Sequence, residues 1–162
     1  MQSTKLIARL ACALTIALLV PVAQAQQRPS YGQAINLETA KKIAAGAAAE
    51  AKKNNWNVAI AIVDNHGMLI YYEMMDDTQT GGATASLEKA RTAALYRRPS
   101  KEFEDGVSAG RVALLGLPGV TPIEGGLPIY AGGKIIGAIG LSGGTAPQDA
   151  QAAKAGIDAL SK

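Results

Sequence analysis

The sequence predicts one domain of the α/β (α+β) class, a central antiparallel sheet flanked by helices. Two pairs of short apolar runs predict the sheet. The first pair is joined by Asp64-Asn65-His66-Gly67 and the second by Gly132-Gly133. Both linkers are hairpin turns, so the strands are not joined by helical crossovers. Stretches with helical spacing precede, separate and follow the two pairs, which places helices on the sheet.

Each element has its own signal. Asn36 can cap a helix, with Glu38 favourable in its first turn. Leu37, Ala40, Ala44, Ala47 and Ala51 then form one helical face, ended by Asn54-Asn55. Val58 to Val63 and Met68 to Met74 read as strands. Thr78 to Gly82 reads as a loop, and Ala85 to Tyr96 as the central helix, stopped by Arg97-Arg98-Pro99. Ser100 can cap a third helix that ends near Gly106 or Gly110. Gly126 to Tyr130 and Lys134 to Leu141 form the second hairpin. Thr145 with Gln148 gives a capping box for the last helix.

The first 25 residues stand apart. Lys5 and Arg9 precede a mostly apolar run from Leu10 to Val20, and Ala23-Gln24-Ala25 offers a cleavage site. This is the pattern of a secretory signal peptide. The run is too short for a stable membrane anchor, which needs about 20 residues. Residues 26–34 read as a polar, flexible lead-in, and 35–162 as the domain. Cleavage removes 25 of the 162 residues and leaves 137, enough for one core. The chain is therefore expected to be exported, to the periplasm or the exterior.

Export removes the one cysteine, Cys12, so disulfides, thiol catalysis and cysteine metal sites are excluded. It also removes two of the 16 Lys and Arg, leaving 14 against 13 acids. A near-neutral chain with few aromatics excludes a nucleic-acid partner.

The glycines of IEGGLPIYAGGKIIGAIGLSGG need an account. A phosphate loop needs a Ser or Thr and then a helix after Gly-Lys, but Gly133-Lys134 leads into Ile135 and a strand. Strand alternation puts Ile136, Ala138, Gly140 and Ser142 on one face. That small-residue strip lets a helix come close, and the alanine-rich faces of 37–51 or 146–160 suit it. Gly125 and Gly126 lie at the entry to a strand after Pro122, where a loop can line a ligand site.

The stretches AIVDNHGMLIYYEMMD, KARTAAL, RPS and LPGVTPIEGGLPIYAGGKIIGAIGLSGG together resemble the GlcG/HbpS family, over about residues 35 to 160. The most distinctive parts are Lys89-Ala90-Arg91-Thr92-Ala93 and Gly125 through Gly140. The resemblance implies a profilin-like fold and homo-oligomers, octamers among them. It implies haem, a haem breakdown product or a corrinoid as the ligand of some members. It also implies that Ser100, in Arg98-Pro99-Ser100, stands where haem-binding members place a hydroxyl against the iron. A neutral hydroxyl is a weak iron ligand and would leave the iron exchangeable. The histidine near the first helix that PduO-type domains use has no counterpart here.

Beside the resemblance, Lys89 and Arg97 sit eight residues apart near one helical face. With Arg98 they could pair with haem propionates or another carboxylate, or they could form a solvated basic face. A pocket at the end of the central helix, with Gly125 and Gly126 opposite, would join these residues. The other chemical candidates have plainer readings. His66 is a turn residue, and Asp64 bonds its own turn. Asp76 and Asp77 are solvated, and the methionines pack. No nucleophile and base form a recognisable set. The sequence thus leaves three functions: binding of haem or a related tetrapyrrole, an enzyme acting on a small organic acid or tetrapyrrole, and a ligand-free structural or sensory oligomer.

Overall fold

A computed structural model describes residues 27–161. The leader expected over residues 1–25 lies outside them. The elements run α1 (Leu37–Lys53), β1 (Ala59–Asp64), β2 (Leu69–Met74), α2 (Gly81–Tyr96), α3 (Lys101–Ser108), β3 (Gly126–Ala131), β4 (Lys134–Ser142) and α4 (Ala146–Asp158). The strands form one antiparallel sheet in the order β2-β1-β4-β3. Among the described residues no helix is long and apolar enough to cross a membrane.

Local chemistry sets the boundaries. Asn36 Oδ1 accepts from Thr39 N at 2.8 Å and starts α1. Asp64 Oδ1 accepts from His66 N at 2.8 Å and Met68 N at 2.9 Å, which closes the first hairpin turn. Gly132 and Gly133 take φ of 55° and 74°, a left-handed pair that matches the twist of a two-residue hairpin. Thr145 N donates to Gln148 Oε1 at 2.8 Å at the start of α4. The central helix begins earlier than expected, at Gly81, because Gly82 is buried beside the Ser142 carbonyl and has no side chain to obstruct it.

Strand alternation divides the core. On one face Ile60 pairs with Leu141 and Ile62 with Ile139 across the β1–β4 ladder. These branched side chains meet Ile43, Ala44, Ala47, Ala152 and Ala153 of α1 and α4. On the other face Val63 and Ala138 meet Ala90, Ala93 and Ala94 of α2. The Ala138–Gly140 strip thus faces α2, not α1 or α4. A Cβ on Gly140 would fall on the Ser86 carbonyl oxygen and 2.5 Å from Ala90 N, so α2 lies at backbone distance from the sheet. The alanines of α1 and α4 instead let those two helices pack together over the isoleucines.

The expected flexible lead-in is a docked strap. β1 pairs with β4 only as far as Gly137, which leaves the first residues of β4 open on that side. Residues 30–35 fill the gap. Ile135 N donates to Ser30 O, Gly32 N to Ile135 O and Ile35 N to Ile136 O, at 2.8–2.9 Å. The Tyr31 hydroxyl reaches Ala94 O and Leu95 O at 3.0 Å, and Asn65 Nδ2 reaches Gly32 O at 2.7 Å. Unpaired backbone beside a sheet is costly, so the polar composition of this segment does not keep it free.

Candidate functional site

The central helix, the start of α3, the loop before β3 and the first turn of α4 converge on one cluster. Lys89 of α2 donates from Nζ to Asp149 Oδ2 of α4 at 2.8 Å, with side chains only 3% and 2% exposed. Asp149 Oδ1 also accepts from Gly144 N at 3.0 Å. Each ion in such a dry place needs its partner to offset lost hydration. Gly125 takes φ +122°, and a Cβ there would stand 3.0 Å from Lys89 Nζ and 2.9 Å from Asp149 Cβ. A Cβ on Gly126 would fall on the Lys89 carbonyl oxygen.

Ser100 closes the same cluster. Its hydroxyl donates to Ile123 O at 2.6 Å and accepts from Gly126 N at 2.9 Å, and the residue is fully buried. Ser100 N donates to Gly126 O at 3.0 Å. The capping expected of Ser100 is absent. Its φ of −60° and ψ of −25° are helical, and its side chain makes no cap bond to α3. A hydroxyl in helical backbone is free for a distant partner, here the Ile123–Gly126 loop. In this arrangement it faces protein on both sides.

Lys89, Ser100, Gly125 and Gly126 are therefore brought together, while Arg97 and Arg98 lie outside the cluster. Lys89 is not part of a solvated basic face. Arg97 ends α2 with φ +56°, its guanidinium 5.5 Å from the centre of the Tyr31 ring and its Nη1 3.4 Å from Pro29 O. It thus binds the strap. Arg98 lies 3.9 Å above the Phe103 ring, and Phe103 is buried edge-on to Tyr96. Burial, and then the charge of Arg28, pulls Arg98 below the usual arginine value.

Asp149 escaped the sequence reading. Its signal is its spacing, for Asp149 shares one face of α4 with Ala152, Ala153 and Gly156, all buried. An acid on the core side of a helix implies a buried partner. Arg28 and Glu102 were missed too, because a pair 74 residues apart leaves no local pattern. His66 is exposed, as a turn residue should be. Among the described residues no three His, Cys, Asp or Glu side chains gather as a metal site.

Two depressions lie elsewhere. A polar crevice of about 460 Å³ runs beside Trp56, Asp77, Gln79 and Gln148. An apolar groove of about 320 Å³ lies between edge strand β2 and α2, along Leu69, Tyr72, Ala83, Thr84 and Leu87.

The model of a family described as "Haem degrading protein HbpS-like" matches residues 35–158. The chain belongs to this HbpS-like family. It is 47% identical to the protein GlcG of Escherichia coli (strain K12) over 108 residues, covering 67% of this chain and 81% of that one. Its fold superposes on a crystal structure of HbpS with a TM-score of 0.75 at 28% identity, covering 81% of this chain and 93% of HbpS. A crystal structure of a PduOC–haem complex gives 0.71 at 26% identity, covering 78% and 94%. The two solved structures share this layered fold, in agreement with the α+β class read from the sequence.

Proposed function

We propose that this HbpS-like protein is an exported, homo-oligomeric binding protein for haem or a related tetrapyrrole, serving uptake, storage or sensing. The observation that carries the reading is the family match over the whole domain, together with the likeness to a PduOC–haem complex. The residues fit such a ligand in part. Arg98 is a fixed guanidinium beside the end of α2, suited to a propionate. Arg97 stands next to it but is engaged by the strap. Lys89, Gly125 and Gly126 would shape the wall rather than touch the ligand. Ser100 can meet an iron only if its hydroxyl leaves Ile123 O and Gly126 N. Haem, when bound, supplies an iron whose behaviour follows its axial ligand.

Two further parts of the proposal have separate support. The leader pattern of residues 1–25 supports export, and the secreted form should begin at Gln26 by N-terminal sequencing. Met68, Leu69, Tyr72, Met74 and Leu95, each 38–62% exposed, support self-association through the β2 edge. Sedimentation equilibrium tests it, and a monomer at all concentrations would refute it.

The main test is an absorbance titration of residues 26–162 with ferric hemin, beside Ser100→Ala. A saturable Soret shift lost in Ser100→Ala but retained in Ser100→Thr, which keeps the hydroxyl, assigns the iron contact to Ser100. A shift unchanged by Ser100→Ala keeps haem binding and leaves Ser100 as the holder of its loop. With no saturable shift, the closed packing of the Lys89–Asp149 cluster favours the ligand-free oligomer instead.

A further inference from the structure

Beyond the closed cluster, Arg28 and Arg98 share a single carboxylate. Arg28 Nη1 and Nη2 lie 3.4 and 3.1 Å from the two oxygens of Glu102. Arg98 Nη1 lies 3.6 Å from Glu102 Oε2, too far for a hydrogen bond. Arg98 thus makes no side-chain hydrogen bond among the described residues. Its Nε is buried without a partner, while the side chain as a whole keeps 22% exposure. Such an orphan donor is costly, and burial alone does not explain it. The Phe103 ring lies against the guanidinium, its centre 3.9 Å from the guanidinium carbon, and restrains it. Two cations against one acid leave a positive excess, and the charge of Arg111 also reaches Arg98. Glu102 is 41% exposed at the start of α3, so its arm can move.

We propose that Arg98, with Arg28, forms a carboxylate-binding site in which Glu102 is the internal competitor. A planar guanidinium with unsatisfied donors suits two carboxylate oxygens side by side. A free organic acid and the acid arms of a tetrapyrrole carry the same chemistry. The site lies at the edge assigned above to a tetrapyrrole, yet it does not depend on one.

Calorimetric titration with sodium malonate at low ionic strength tests the free acid. Absorbance titration with metal-free protoporphyrin IX, beside its dimethyl ester, tests the acid arms. Arg98→Gln should weaken binding about 10-fold or more, since a charge-assisted pair is lost. Glu102→Gln should tighten it, because the competitor is gone, and no misfolded variant would do that. Saturable malonate binding with both effects establishes the site for free acids. No malonate binding, but Arg98-dependent binding of the porphyrin and not of its ester, establishes it for a tetrapyrrole. If neither probe responds to Arg98→Gln and Glu102→Gln in these opposite directions, the proposal is overturned, whatever hemin itself does.

Discussion

Replacing Asp149 by alanine would isolate a buried ammonium. The Lys89 side chain is 3% exposed, and Asp149 is the single hydrogen-bond partner of its Nζ among the described residues. Removing one member of such a pair costs about 3–5 kcal/mol. Gly144 N also loses its acceptor, so the loss should lie toward the upper end of that range. For a domain of this size that lowers the thermal midpoint by about 10–20 °C. The double change Lys89→Met with Asp149→Leu removes both charges and leaves apolar side chains of similar length. It should lie closer to the native protein, within about 3 kcal/mol, with Gly144 N still lacking its acceptor. Urea unfolding followed by Trp56, the one tryptophan, reads both, with an unchanged m value as the control. The reasoning is refuted if Asp149→Ala costs less than about 1 kcal/mol, or if the losses of Lys89→Met and Asp149→Leu, each measured alone, simply add in the double variant.

Other changes probe the remaining contacts. Gly140→Ala should cost about 1–3 kcal/mol or more, since backbone of α2 occupies the place of the new methyl. Gly81→Ala meets nothing within 4 Å and should stabilise by about 0.4–1 kcal/mol in the same melts. Ser100→Ala leaves the buried Gly126 N without an acceptor and should cost about 1–3 kcal/mol; no loss would mean that the loop is held by other contacts. The hydrogen bond from Gln151, then Asn54 and Lys53, holds the Glu50 carboxyl below its ordinary range. Its folded value is depressed, so its contribution is present above the unfolded carboxylate pKa and is lost as pH falls through the folded value. Gln151→Ala should move the Glu50 midpoint back up in an NMR titration, and an unmoved midpoint contradicts the assignment.

The order of helices and strands was legible because each signal is local. Asp64 and the Gly132–Gly133 pair write their turns into adjacent residues, and Asn36 caps from three residues away. What failed was tertiary. Nothing near Tyr31 says that β4 outruns β1 and leaves backbone for the strap to fill. Ser100 looks like a cap because caps are local, whereas its partners Ile123 and Gly126 lie over 20 residues on. Lys89 reads as a surface cation until Asp149, 60 residues away, is seen opposite it. The face of α4 carried that clue, an acid in line with alanine and glycine. Arg97 and Arg98 are neighbours in sequence, but the left-handed turn at Arg97 sends one to the strap and the other to Phe103.

The edge strand has a chemical consequence. Met68, just before it, and Met74, its last residue, are 62% and 38% exposed, so peroxide would reach both thioethers. Oxidation turns a flexible apolar side chain into a polar sulfoxide. On a free edge that change costs little. Beneath another copy of the chain it would set a polar group in an apolar contact, and oxidation would drive the copies apart. The sulfur atoms of Met68 and Met74 would therefore report whether another copy covers this edge.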